Sequence, residues 1–207
     1  MNLREQVEYD LGETLEDGVG GWGLPVVLRD PDGVIQTYTV VLTASDISFS
    51  STDNSINSTS TDFRNFRISE DDVLQFNGST SNTGTYTVSD ITENKITFDE
   101  SITTEAAGSE IKILNQSHPL NGQIIYETIE EAPGTGAEVI VHKPVVTLRR
   151  TSLLRVPAQD EKNQWLVQIP IQPSRTATKV NYIMGRPGEG GASIGFIRLY
   201  LVKPVQS

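Results

Sequence analysis

Residues 46–114 read DISFSSTDNSINSTSTDFRNFRISEDDVLQFNGSTSNTGTYTVSDITENKITFDESITTEAAGSEIKIL, and this stretch decides the fold. Val73, Phe76, Tyr86, Val88, Ile91, Ile96, Phe98, Ile111 and Ile113 fall mostly two residues apart, the spacing at which side chains line one face of a strand. Between these short apolar segments stand Asn77-Gly78, Asn82-Thr83-Gly84 and Glu93-Asn94. Glycine and asparagine tolerate positive φ, and asparagine also bonds its own backbone, so each cluster turns the chain. The pattern is that of a small closed or nearly closed β unit. The sequence on either side reads differently, which makes residues 46–114 a module inserted into a host built from residues 1–45 and 115–207.

Toward the N-terminus, Asn2 and Glu5 have the form of a capping box, and Leu3, Val7, Leu11 and Leu15 recur every four residues. This predicts a helix with one narrow apolar stripe, ended by Gly18, Gly20 and Gly21. Trp22 follows between glycines and reads as a core plug or an interface anchor. A hairpin comes next, with strands at 24–28 and 34–42 around Asp30-Pro31-Asp32-Gly33, where proline fixes φ and glycine takes the position that needs positive φ.

Toward the C-terminus, Pro119-Leu120-Asn121-Gly122 reads as a turn back into the host. Strands are expected at 123–129, 138–142, 165–171 and 194–202, with glycine-rich loops at 131–137 and 185–191. Residues 144–156, PVVTLRRTSLLRV, read as one long strand. On such a strand Arg149 and Arg155 share a face and Arg150 points the other way. The whole is therefore expected to be all-β, a β-barrel host with an N-terminal helix and an inserted small β-barrel.

Composition narrows the function. There is no cysteine, so disulfides, thiolate catalysis and Cys-based metal sites are excluded. His118 and His142 lie beside prolines without a second ligand in the pattern, and Glu70-Asp71-Asp72 lacks the spaced oxygen donors of a calcium loop. Gly185-Arg-Pro-Gly-Glu-Gly-Gly lacks the Lys-Ser/Thr of a phosphate loop, and Gly134-Thr-Gly lacks the third glycine of a dinucleotide fingerprint. No catalytic, cofactor or metal residues are expected, and an enzyme is not. The sequons at Asn57, Asn77 and Asn115 read as polar turn residues. No apolar run is long enough for a bilayer and no signal-peptide core opens the chain, so a soluble cytoplasmic product without membrane contact is expected.

The net charge of −11 is spread unevenly. Residues 1–45 carry eight acids and two bases, 46–114 twelve and four, and 115–207 seven and ten. An acidic chain is not a nucleic-acid binder by charge, while acidic and basic ends allow like copies to meet face to face.

The module resembles a small β unit that recurs in structural proteins of long-tailed bacteriophages. The residues that carry the resemblance are Ile47 to Phe49, Asp53-Asn54-Ser55-Ile56, Phe66 before the acidic turn, Asn82 to Val88 with Gly84-Thr85-Tyr86 at its centre, and Glu105-Ala106-Ala107-Gly108. Where the usual form has Gly-Asp before the second strand, this chain has Glu70-Asp71. The host, through LNGQIIYETI, PVVTLRRTSLLRVP and EGGASIGFIRLYLVK, is similar to head-closure or head-tail joining proteins of the phage neck. That resemblance implies a homo-oligomeric ring at the head-tail junction of a virion, made in the bacterial cytoplasm. It would dock on portal or adaptor and tail proteins and pass DNA through its channel without sequence-specific binding. Trp22, Arg149, Arg150, Arg155 and Arg186 are the candidate interface residues. Alternatives are a capsid decoration protein, a virion-surface adhesive or carbohydrate-binding protein, and a tail terminator or completion protein.

Overall fold

The computed structural model describes residues 23–131, 139–170, 179–188 and 195–203. The expected N-terminal helix, the 131–137 loop beyond Glu131 and Trp22 lie outside the described residues. The protein is mostly β, with two sheets that curl in the manner of half barrels, and it divides into two compact units.

The smaller unit runs from Tyr38 to Pro119. Its strands are β4 (Tyr38–Ala44), β5 (Ser48–Ser50), β6 (Ser55–Asn57), β7 (Val73–Asn77), β8 (Thr85–Ile91), β9 (Lys95–Phe98) and β10 (Ile111–Pro119). They form one antiparallel sheet in the order β4-β10-β7-β8-β9-β6-β5. The alternation read from the sequence puts Leu74 and Phe76, Tyr86 and Val88, and Ile96 and Phe98 inside. Each fully buried apolar side chain is worth roughly 1.5–3 kcal/mol. Four rings, Phe49, Phe76, Tyr86 and Phe98, meet at centroid distances of 5.1 to 5.8 Å. Gly78 closes β7 with φ of +103°, and a Cβ there would lie 2.1 Å from Glu110 O. Only glycine fits this turn.

This unit starts earlier and ends later than the 46–114 span. β4 pairs with β10 from Ala44↔Ile111 back to Tyr38↔Pro119, so the two connecting strands belong to its sheet. Its turns hold a second difference. At Glu70-Asp71 it is Asp71 that takes the left-handed backbone, with φ of +67°, and the Asp72 carboxylate closes the turn by accepting from the Ser69 N–H at 2.8 Å.

The other unit comprises the segments on either side, up to Thr37 and from Leu120. Its strands are β1 (Leu24–Pro25), β2 (Val27–Arg29), β3 (Ile35–Gln36), β11 (Asn121–Glu131), β12 (Val139–Arg149), β13 (Leu166–Pro170), β14 (Lys179–Gly188) and β15 (Phe196–Val202). They make an antiparallel sheet in the order β1-β11-β12-β15-β14-β13-β2-β3, curled so that β1 comes against β13. Val26, Leu28, Leu120, Val146, Leu148, Val167, Met184, Leu199 and Leu201 fill its core. The turn at Asp30 to Gly33 forms as expected, with Gly33 at φ of +87° and the Val34 N–H donating to Asp30 Oδ1 at 2.8 Å, but the strand expected at 34–42 is two: β3 pairs with β2 here and β4 belongs to the sheet of the smaller unit.

Four expectations are corrected here. The strand expected at 24–28 is two strands with different neighbours, β1 on β11 and β2 on β13, joined through the buried Val26. There is no turn at Pro119–Gly122: the Leu120 N–H donates to Thr37 O at 2.8 Å and Leu120 is fully buried. Gly122 serves close approach instead, since a Cβ would come within 2.8 Å of Leu148 and 2.9 Å of Val146. β12 runs through Pro144 without a break, because Pro144 faces Tyr126 of β11 on one side and the pairing with β15 begins only at Val145. A proline costs no ladder hydrogen bond where the strand has a bare edge. β14, finally, continues through Gly185 and Arg186 to Gly188, with Gly185 as the extra residue between Met184↔Leu201 and Arg186↔Tyr200.

Candidate functional site

The arginines singled out in the sequence do not share one strand. β12 ends at Arg149, and Arg150–Ser152 forms a single 3-10 turn. The expectation that Arg149 and Arg155 lie on one face of a strand through 156 is therefore corrected. Arg149 is half-buried and opposite Phe196 of β15, whereas Arg150 is exposed, its backbone N–H donating to Gly195 O at 2.8 Å. Arg186 sits on β14 opposite Tyr200, and its side chain is not among those described.

Arg155 is held inside its own chain. Its Nη1 donates to Asp32 at 3.2 Å and lies 3.8 Å from Asp30, both in the β2–β3 turn. Its Nη2 pairs with Glu161, and its guanidinium carbon lies 5.8 Å from the Trp165 ring centroid. Glu161 is buried and also accepts from the Ala158 N–H at 3.0 Å and the Trp165 indole N–H at 2.9 Å. Those two bonds, with the arginine, hold its carboxyl below the usual range. The cluster fastens the hairpin turn to the 155–165 loop. Gln36 does similar work from β3, donating to Ser152 O at 2.7 Å and accepting from the Leu154 N–H at 2.9 Å.

The polar motif residues of the smaller unit are likewise committed to loops. Asp46 accepts from Ser58 Oγ at 2.5 Å and from the Ser60 N–H at 2.9 Å, and these bonds depress its carboxyl. Glu105 accepts from Ser79 Oγ at 2.7 Å and from the Thr80 N–H at 3.1 Å, with the same result. Asp53 pairs with Lys95 at 2.5 Å. Asn82, 1% exposed, binds Thr103 through both ends of its amide. Asn115 is fully buried and donates to Arg67 O and Asp72, so this sequon asparagine is a structural one. Among the described residues no group of three or more His, Asp or Glu is placed to hold a metal ion. No helix among them is long and apolar enough to cross a membrane.

Among the described residues, the pairing of β11 with β12 runs on past that of their neighbours, as an arm. β11 and β12 pair without a register shift from Gln123↔Thr147 to Glu131↔Val139. β1 reaches β11 only at Asn121 and Gly122, and β15 reaches β12 only from Val145. Among the described residues, the six pairs from Tyr126↔Pro144 to Glu131↔Val139 thus carry no third strand on either side. They make a ribbon roughly 20 Å long. A two-stranded ribbon is at best marginally stable in water, and its bare edges invite another chain. Tyr126, at its base, is 53% exposed, one of three large exposed apolar side chains among the described residues, with Val34 and Ile35.

Sequence reading missed both features. Reading Pro144 as a boundary cut the arm in two, and reading Asp30-Pro31-Asp32-Gly33 only as a turn left out the acids that take Arg155. The unbroken apolar run on both sides of Pro144 was the signal for the first. No local signal pointed to the second, because Arg155 meets the turn across 123 residues.

No known protein family, curated protein or solved structure matches the chain.

Proposed function

We propose that the protein is a structural component of the head-tail junction of a long-tailed bacteriophage. Copies assemble as a ring between the portal or adaptor above and the tail below, with the DNA channel at its centre. In this reading the larger unit is the barrel-type host domain and the smaller one is the inserted phage-type module. The observation that carries the reading is the β11–β12 ribbon, whose six pairs from Tyr126↔Pro144 to Glu131↔Val139 carry no third strand among the described residues. The acidic balance suits a channel wall, since like charge leaves phosphate mobile where a basic surface would hold it.

An adhesive or carbohydrate-binding role would need aromatic rings at the surface of the smaller unit. Phe49, Phe76, Tyr86 and Phe98 are all at least nine-tenths buried there and Phe66 packs half-buried against the same core, which counts against that alternative.

The test is a phage lacking the chain. The expected particles are DNA-filled or DNA-leaking heads and separate, unjoined tails; normally joined, infectious particles would overturn the reading.

A further inference from the structure

The sequence holds two Asn-Gly dipeptides, Asn77-Gly78 and Asn121-Gly122, and the fold places them in opposite settings. Glycine has no Cβ to shield its nitrogen, so an asparagine before it is the one most open to attack on its side-chain amide by the next backbone nitrogen. Asn77 is exposed and is the last residue of β7. It pairs with Lys112 of β10, while the pairing of β7 with β8 stops at Gln75↔Thr85, so among the described residues a single ladder holds it. Gly78 lies beyond the strand, in the left-handed region. Asn121, by contrast, is 4% exposed and opposite Pro25 of β1, and Gly122 lies under Leu148 and Val146. Strand ends open locally at small free-energy cost, whereas a buried sheet position opens only with much of its unit.

We propose that Asn77 is a site of spontaneous deamidation, and that Asn121 is protected from the same reaction by the fold. In the step, the Gly78 nitrogen loses its proton to solvent base and bonds to Asn77 Cγ. The Cγ–Nδ2 bond then breaks, and the amide nitrogen leaves as ammonia with a proton in place of the one lost from Gly78. The ring left behind is a succinimide, which water opens in either of two ways. Cleavage of the new Cγ–N bond gives aspartate. Cleavage of the original main-chain bond gives isoaspartate, whose backbone runs through the former side chain. The sum is one water consumed and one ammonia released, with no oxidant or reductant. The proposal concerns the free chain and stands apart from the junction reading.

The test incubates the purified full-length chain at neutral and mildly alkaline pH, beside a sample unfolded in guanidinium, and follows both dipeptides by peptide mass spectrometry and isoaspartate labelling. In the folded chain Asn77 is expected to convert at least about tenfold faster than Asn121, because the two differ in the cost of local opening. Its rate should rise with pH, as attack by a deprotonated nitrogen requires. In guanidinium the two sites should convert at similar rates, since only the dipeptide then matters. Asn77→Gln, whose longer side chain closes a larger ring poorly, should remove the isoaspartate signal at this site and leave Asn121 as it was. Asn77→Asp, which sets a carboxylate across the strand pair from Lys112, supplies the reference for the more acidic form on ion exchange. An Asn77 that stays intact in the folded chain, an Asn121 that keeps pace with it, or a rate that ignores pH overturns the proposal.

Discussion

Glu161 shows how much a single buried carboxylate organises. It has three donors, the Ala158 N–H, the Trp165 indole and Arg155, and these draw on a loop, a core aromatic and the β2–β3 turn. Glu161→Ala leaves those donors without their acceptor, at a cost of about 1–3 kcal/mol in urea unfolding. Arg155 is partly exposed and contributes the smaller share, because water screens its pairing. The pH dependence carries the sign. The folded carboxyl titrates below its ordinary value of 4.5, so its contribution is complete above that pH and is lost as pH falls through the folded value. The gap between wild type and Glu161→Ala should therefore be widest near neutrality and narrow in acid. A gap that is constant with pH, or absent, contradicts this account of the cluster. At this scale little was legible in the sequence beyond the turn itself. Which acid meets which arginine is set by sheet order, and spacing along the chain does not encode it.

Strands were the most legible elements where one face is buried and the other is not. The period of two at Tyr86 and Val88 or Ile96 and Phe98 survives directly as burial. Legibility failed where glycine and proline had two possible uses. At Gly78 the turn reading is right, since φ is +103° and the backbone of Glu110 leaves no space for a Cβ. At Gly122 the turn reading fails, because the glycine lies mid-sheet under Leu148 and Val146. The two positions thus predict different responses to alanine. Gly78→Ala combines a strained backbone with a backbone clash, so the loss should exceed ~1 kcal/mol and no neighbouring side-chain change should relieve it. Gly122→Ala overpacks, at about 1–3 kcal/mol, and Leu148→Ala in the same chain should recover part of that loss through the space it opens. Equilibrium unfolding of the singles and the double measures both; full additivity of Gly122→Ala with Leu148→Ala would rule out the packing explanation.

For the whole molecule, the inserted organisation was legible from the change in pattern, but its limits were not. β4 and β10 alternate no differently from host strands, and only their mutual pairing assigns them to the smaller unit. The junction lies at Thr37 and Leu120, which are joined by a backbone hydrogen bond of 2.8 Å. Replacing residues 38–119 by a short Gly-Ser linker should therefore leave the larger unit folded, with its own cooperative melt. An insoluble product would mean that the larger unit depends on the smaller. The central claim, a ring at the neck, is tested most directly by electron cryo-microscopy of whole particles, locating this chain by its density. The account predicts a single closed ring of copies where head meets tail. Copies scattered over the capsid surface, or two-fold dimers away from the tail vertex, would contradict it.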